Sequence, residues 1–238
     1  MSVDTKNTAG KDEKPGGSPR NQNFKELLTP ANIVTLVRII LIPVFVVTLL
    51  APWPIWFPDA SLAMVAKPWI AAAVFALLAL SDSLDGYLAR SRNEVTTLGK
   101  FLDPLADKIL VTAALLALIE LGTLPAWVAL IIIARDFLVS GLRMVASAEN
   151  QVIAASRIGK SKTVFQIIAM ILFIIKDSPV ITDFSLQLGL GAMLTWLANL
   201  LAWVIMGVAL LLTLLSLVDY FMKSSSVLGL PIDTKKKQ

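Results

Sequence analysis

Four aspartates, Asp82, Asp85, Asp103 and Asp107, stand in one short segment with Gly86, Ala89, Arg90 and Gly99. On a helix, Asp82 and Asp85 lie about 60° apart around the axis, and Asp103 and Asp107 about 40°. Each pair therefore shares a face. The polar turn between the pairs is short enough to fold one back on the other. Four facing carboxylates cannot all stay ionised without cations. Two divalent ions bridged by shared carboxylates would satisfy them, an arrangement suited to displacement at phosphorus.

The protein contains no histidine and no cysteine. A cysteine nucleophile, a Ser–His triad, a histidine base and the usual His/Cys zinc sites are excluded. Proton transfer must fall to Asp, Glu, Lys or Tyr. A bound metal would have oxygen ligands, which favours a hard cation such as Mg²⁺ or Mn²⁺. Gly86 and Ala89 remove side-chain bulk beside the acids. Either a neighbouring helix approaches closely there, or a flat ligand group lies against the backbone. Arg90, one turn on, could bind a phosphate.

A second group of residues is basic. Arg135 and Arg143 stand within or at the edge of an apolar run, and Lys160 and Lys162 follow in a polar stretch. They could merely bias loop charge, or they could bind a substrate that carries a phosphate. An unpaired cation inside an apolar run is costly, which favours the second reading for the arginines. A third group, Asn32, Thr35 and Arg38, repeats at helical spacing on one face. A lone arginine near a helix end can snorkel; three polar groups on one face instead line a polar cavity.

The elements that position these groups are long apolar helices. Of 238 residues, 56% are hydrophobic and only 16% charged. The apolar residues come in runs, and a span needs roughly 20 of them. We expect six spans, at about 32–50, 68–90, 101–121, 126–145, 163–175 and 193–221, forming an all-α integral membrane protein. The fifth is short and borrows a turn from Gly159–Lys162. Residues 51–67, with Trp53 and Trp56, read as an interfacial loop, and 176–193 as a mixed loop. Residues 1–22 read as a disordered cytoplasmic tail, 23–223 as the six-span domain, and 224–238 as a basic cytoplasmic tail.

The net charge of +4 fits cytoplasmic loops rather than nucleic-acid binding. Lys and Arg concentrate in the first tail, around 90–101 and 143–162, and in the last tail. The alternation places both termini in the cytoplasm. Every polar cluster then falls at the cytoplasmic end of its helix, in one chamber open to that side. A cation transporter would spread its acids through the bilayer depth; here they gather at one edge.

The string Asp82-x2-Asp85-Gly86-x2-Ala89-Arg90-x8-Gly99-x3-Asp103-x3-Asp107 resembles the signature of the CDP-alcohol phosphatidyltransferases at every fixed position. The resemblance implies a homodimer with six spans, a cytoplasm-facing site and two divalent cations, Mg²⁺ or Mn²⁺. It implies transfer of a phosphatidyl group from CDP-diacylglycerol to an alcohol, with release of CMP. By the same resemblance Asp82, Asp85 and Asp103 are metal ligands. Asp107 completes the metal site and is the base on the acceptor hydroxyl. Gly86 and Ala89 accommodate cytidine, and Arg90 the diphosphate.

Three further segments are similar to the branch of that family whose acceptor is sn-glycerol 3-phosphate. They are Ala134-Arg135-Asp136-Phe137-Leu138-Val139-Ser140-Gly141-Leu142-Arg143, Ile158-Gly159-Lys160-Ser161-Lys162-Thr163, and Asn32 through Pro43. This resemblance implies acceptor-phosphate binding by Arg135, Arg143, Lys160 and Lys162. Asn32, Thr35 and Arg38 are expected at the CDP-diacylglycerol site, and a bacterial inner membrane is the expected location. Inositol phosphate and serine are the alternative acceptors. Serine carries no phosphate, so the basic cluster argues against it.

Overall fold

The computed structural model describes residues 30–52, 60–92, 97–148, 157–187, 189 and 191–224. All regular structure among them is helical: α1 (Pro30–Leu50), α2 (Ala60–Arg92), α3 (Thr97–Glu120), α4 (Ala126–Ala148), α5 (Arg157–Ile175), α6 (Pro179–Gln187) and α7 (Gly191–Ser224). The residues expected as the first tail, 1–22, lie outside this description, as does nearly all of 224–238.

Six of the seven helices correspond to the six apolar runs, and two boundaries differ from expectation. First, α2 begins at Ala60, so Pro68 lies inside it rather than at its start. Residues 60–66 are mostly good helix formers, and a proline interrupts the backbone bonding at one place only. Second, the stretch expected as a loop at 176–193 contains α6. Ser178 caps that helix. Its Oγ accepts the Val180 amide N–H at 3.2 Å, its carbonyl accepts the Ile181 N–H at 3.0 Å, and Pro179 takes the first helical position, where no N–H is needed. α5 does start upstream, at Arg157, as its short apolar run required.

The turn after α3 is tight, as Gly122-Thr123-Leu124-Pro125 predicts. Gly122 adopts φ +69°. Gly122 N–H donates to Ile119 O at 2.9 Å and Thr123 N–H to Leu118 O at 3.1 Å. These bonds satisfy carbonyls that a helix end otherwise strands.

The helices pack through inward rows at helical spacing: Ile42, Phe45 and Leu49 of α1; Ala71, Phe75 and Leu78 of α2; Leu110, Ala114 and Leu118 of α3; Ala169, Met170 and Phe173 of α5. Small residues let the backbones approach. Aromatic pairs fill the remaining space, with Phe45 and Phe75 centroids 5.5 Å apart and Phe173 edge-on to Trp203 at 5.1 Å. The outward rows are apolar too. Ile33, Val37, Ile40, Val44 and Val47 of α1, and Trp196, Leu200, Val204 and Leu211 of α7, are all exposed. Helices apolar on every face belong in lipid. Two of them, over Ile33–Leu50 and Ala192–Met222, are long and apolar enough to cross a membrane.

The long helices alternate in direction, so the bundle has two distinct ends. At one end lie Asp107 and Lys108 of α3, Arg135 to Arg143 of α4, Gly159 to Thr163 of α5 and Tyr220 of α7. At the other lie Leu49, Pro68, Leu121 and Asp177. The second end is pinned by Trp69, whose Nε1–H donates to Ser178 Oγ at 3.0 Å. Lys176 reinforces it with bonds to Asp177 at 2.5 Å and Asn199 at 3.1 Å.

Candidate active site: a cationic cavity at the polar end

α4 packs against α3 and α7. Its residues Asp136, Ser140 and Arg143 follow at i, i+4 and i+7, so they share a face. That face looks into a cavity of about 260 Å³ lined by Asp107, Lys108, Arg135, Asp136, Val139, Ser140, Arg143, Gly159, Lys162, Thr163 and Tyr220. Four separate stretches of sequence thus meet at one place.

Asp136 is the hub of the cavity wall. Its Oδ1 accepts Lys162 Nζ at 2.6 Å and Arg135 Nη1 at 2.9 Å. Lys162 is 3% exposed and Arg135 9% exposed, so both cations are largely withdrawn from water. Buried cations persist only when paired, and here Asp136 pairs two at once. Arg135 also donates from Nη2 to Ser216 Oγ of α7. Lys108 donates to Ser140 Oγ, which in turn donates to the Asp136 carbonyl at 2.8 Å. Arg143 is more exposed. It donates from Nη2 to Tyr220 Oη at 2.7 Å, with its guanidinium carbon 5.7 Å from the tyrosine ring centroid.

The expected site residues divide into three groups. Asp107, Arg135, Arg143 and Lys162 share the cavity. Thr35 and Arg38 are buried but do not line it. Arg38 instead donates from Nε to Ser81 Oγ at 2.9 Å, tying α1 to α2 one residue before Asp82. The third group lies outside the described side chains. Asn32 is on the backbone of α1, Asp82, Asp85, Gly86, Ala89 and Arg90 on that of α2, Asp103 on that of α3, and Lys160 on that of α5. Of the four aspartates only Asp107 has a described side chain. Among the described residues no three His, Cys, Asp or Glu side chains gather as a metal site.

Sequence reasoning assigned no role to Asp136, Lys108, Ser140, Ser216 or Tyr220. Three of them had a readable signal. Asp136 sits directly beside Arg135 in an apolar run, where an acid needs a partner. On α7, Thr213, Ser216 and Tyr220 follow at i, i+3 and i+7, a polar row in an otherwise apolar helix.

Comparison with known proteins agrees with the acidic signature. The family described as CDP-alcohol phosphatidyltransferase matches residues 28–215. That range contains the four aspartates and the cavity residues of α3, α4 and α5; Ser216 and Tyr220 lie just beyond it. A CDP-diacylglycerol–glycerol-3-phosphate 3-phosphatidyltransferase of Bacillus subtilis is 43% identical over 149 residues, covering 62% of this chain and 77% of that protein. A probable phosphatidylglycerophosphate synthase of Mycobacterium tuberculosis H37Rv is 36% identical over 199 residues, covering 84% of this chain and 83% of that protein. A further CDP-diacylglycerol–glycerol-3-phosphate 3-phosphatidyltransferase, of Rickettsia bellii, is 34% identical over 172 residues, covering 71% and 87%. The family match spans most of the chain and encloses its acidic segment, and the protein belongs to the CDP-alcohol phosphatidyltransferase family.

Proposed function

We propose that this protein transfers the phosphatidyl group of CDP-diacylglycerol to sn-glycerol 3-phosphate, giving phosphatidylglycerophosphate and CMP. The observation that carries the reading is the cavity that brings Asp107 together with Arg135, Arg143 and Lys162. An acid next to a cationic pocket is what a hydroxyl acceptor with a phosphate requires. The names of the relatives from three bacteria support the same acceptor.

In this reading the phosphate of the acceptor is met by Arg143 and the basic wall around it, with Lys160 adding a further charge. Its free hydroxyl is then directed toward Asp107. Asp107 takes the hydroxyl proton as the acceptor oxygen bonds to the phosphorus that carries diacylglycerol. The bond from that phosphorus to the bridging oxygen breaks, and CMP leaves with the electron pair. Asp82, Asp85, Asp103 and Asp107 would hold two divalent cations, Mg²⁺ or Mn²⁺. The donor chemistry fits: all four are carboxylates, and α2 and α3, which carry them, pack together. When bound, such ions polarise phosphoryl oxygens and stabilise the leaving group. Gly86, Ala89 and Arg90 would receive the CDP moiety, with Asn32, Thr35 and Arg38 supporting them from α1.

The same reading has six membrane spans, α1 to α5 and α7, with both termini and the cavity on the cytoplasmic side of a bacterial inner membrane. The catalytic body is 23–223, flanked by segments 1–22 and 224–238, and it works as a homodimer. The distribution of Lys and Arg supports this orientation.

One assay tests the function. Purified protein receives CDP-diacylglycerol, Mg²⁺ or Mn²⁺, and each candidate alcohol, and CMP release is measured. Release with glycerol 3-phosphate is expected. Release only with inositol phosphate or serine would overturn the acceptor assignment, and no release with any alcohol would overturn the activity.

A further inference from the structure

The Asp136 carboxylate is not where an acceptor phosphate would gain from it. An acid beside an incoming dianion is repulsive, yet this one sits at the centre of the basic wall. Among the described lining residues there are four cations, Lys108, Arg135, Arg143 and Lys162, against two carboxylates, Asp107 and Asp136. The described wall is net positive, and Asp136 lowers its charge by one. A phosphate monoester above its second pKa of about 6 carries two negative charges. A net-positive wall suits that ligand, and each charge removed from the wall weakens its hold on a more highly charged one.

From this geometry we infer that Asp136 is a specificity-determining residue: by neutralising part of the basic wall it favours a dianionic phosphate monoester over more highly charged acceptors. It acts through Arg135 and Lys162 and needs no contact with substrate. Three observations converge on this role. Asp136 holds both cations, at 2.9 and 2.6 Å, and both are nearly withdrawn from water. Arg135 is fixed from its other side by Ser216, so the pair is a rigid wall rather than a mobile one. Arg143, by contrast, is exposed and rests on the hydroxyl of Tyr220, where an anion can reach it. The cavity therefore divides into an inner pair neutralised in part from within and an outer arginine presented to the ligand. Without the Asp136 charge, the inner pair would attract a further anionic group, and ligands with an extra carboxylate would be accepted.

The inference rests on the proposed acceptor, and its test separates the two. The full-length protein in detergent, with Mg²⁺ at about pH 8 so that the phosphate is dianionic, is titrated calorimetrically with two probes. Glycerol 3-phosphate is the dianion; 3-phosphoglycerate has the same three-carbon skeleton with a carboxylate in place of the terminal CH₂OH. The quantity read is the ratio of the two affinities. Asp136→Asn should shift the ratio toward 3-phosphoglycerate by about tenfold or more, the size expected for one unscreened charge at close range. Asp136→Glu keeps the charge and should keep the wild-type ratio, even if both affinities fall. An unchanged ratio in the asparagine variant overturns the inference. So does a glutamate variant whose ratio moves as far as the asparagine one, and this second arm decides the matter if the asparagine variant does not fold. CMP release is measured on the same preparations. Binding ratios that move as expected without glycerol 3-phosphate turnover would remove the proposed function and leave the charge selection in place.

Discussion

The cations of the cavity are not equivalent, and their differences can be measured. Arg135 and Lys162 are buried against Asp136, so truncating either one breaks a buried ion pair, leaves a void in the wall and damages the fold as well as the site. Arg143 is the better probe because it is exposed and docks on Tyr220. Arg143→Ala should raise the KM for glycerol 3-phosphate about ten- to hundredfold, the loss of one charge-assisted hydrogen bond of about 1.5–3 kcal/mol. The KM for CDP-diacylglycerol should stay near wild type. Equal increases for both substrates would assign Arg143 to membrane topology instead. The arginines and lysines were legible as a candidate phosphate site from their place in or beside apolar runs. Asp136 was legible only as a neighbour of Arg135. Its reach to Lys162 crosses from α4 to α5, and no local pattern encodes that.

At the scale of elements, caps and turns decide where the helices end, and with them where the site residues stand. Gly122 closes α3 with φ +69°, and a Cβ built there would meet nothing within 4 Å. Any cost of substitution is therefore backbone strain alone. Gly122→Ala should destabilise the protein by about 1 kcal/mol. Gly207→Ala, inside α7 and also with open space around it, should be neutral or stabilising by about 0.5–1 kcal/mol. Thermal unfolding in detergent measures both, and changes of the same sign would refute the cap argument. The glycine turn was readable from Gly122-Thr123-Leu124-Pro125. The α6 helix was not anticipated, because Ser178-Pro179 reads equally well as a loop until the Ser178 side chain is seen accepting the Val180 amide.

At the scale of the whole molecule, polar groups crowd one end of the bundle and apolar rows cover its flanks. The opposite end is closed by Trp69, Ser178, Lys176 and Asn199, a structural latch joining α2 to the start of α6 and α7. The proposed orientation puts these two ends on opposite sides of the bilayer. Because the protein has no cysteine, single cysteines report sidedness without background. Lys236→Cys should react with a membrane-impermeant maleimide only in inside-out vesicles. Asp183→Cys, exposed on α6, should react only in right-side-out vesicles. Labelling of both from one side would contradict the six-span arrangement.

Composition, spacing and the absent residue types were enough to establish a helical protein with apolar spans and a family signature, and to propose an oxygen-ligand metal site. Each of these depends on residues near one another in the chain or on totals over it. Helical periodicity, the long apolar runs and the Asp82–Asp107 spacing are local properties of this kind. The tertiary structure alone decided which distant groups meet. It joined Asp107 to Arg135, Arg143 and Lys162 in one cavity, turned Arg38 toward Ser81 instead, and brought Ser216 and Tyr220 from the last helix onto the arginines of α4. The reason is physical: a buried charge takes whichever partner the packing of helices brings within reach. That packing is set by the apolar rows of Phe45, Phe75, Leu118 and Phe173, far along the chain from the charges they bring together.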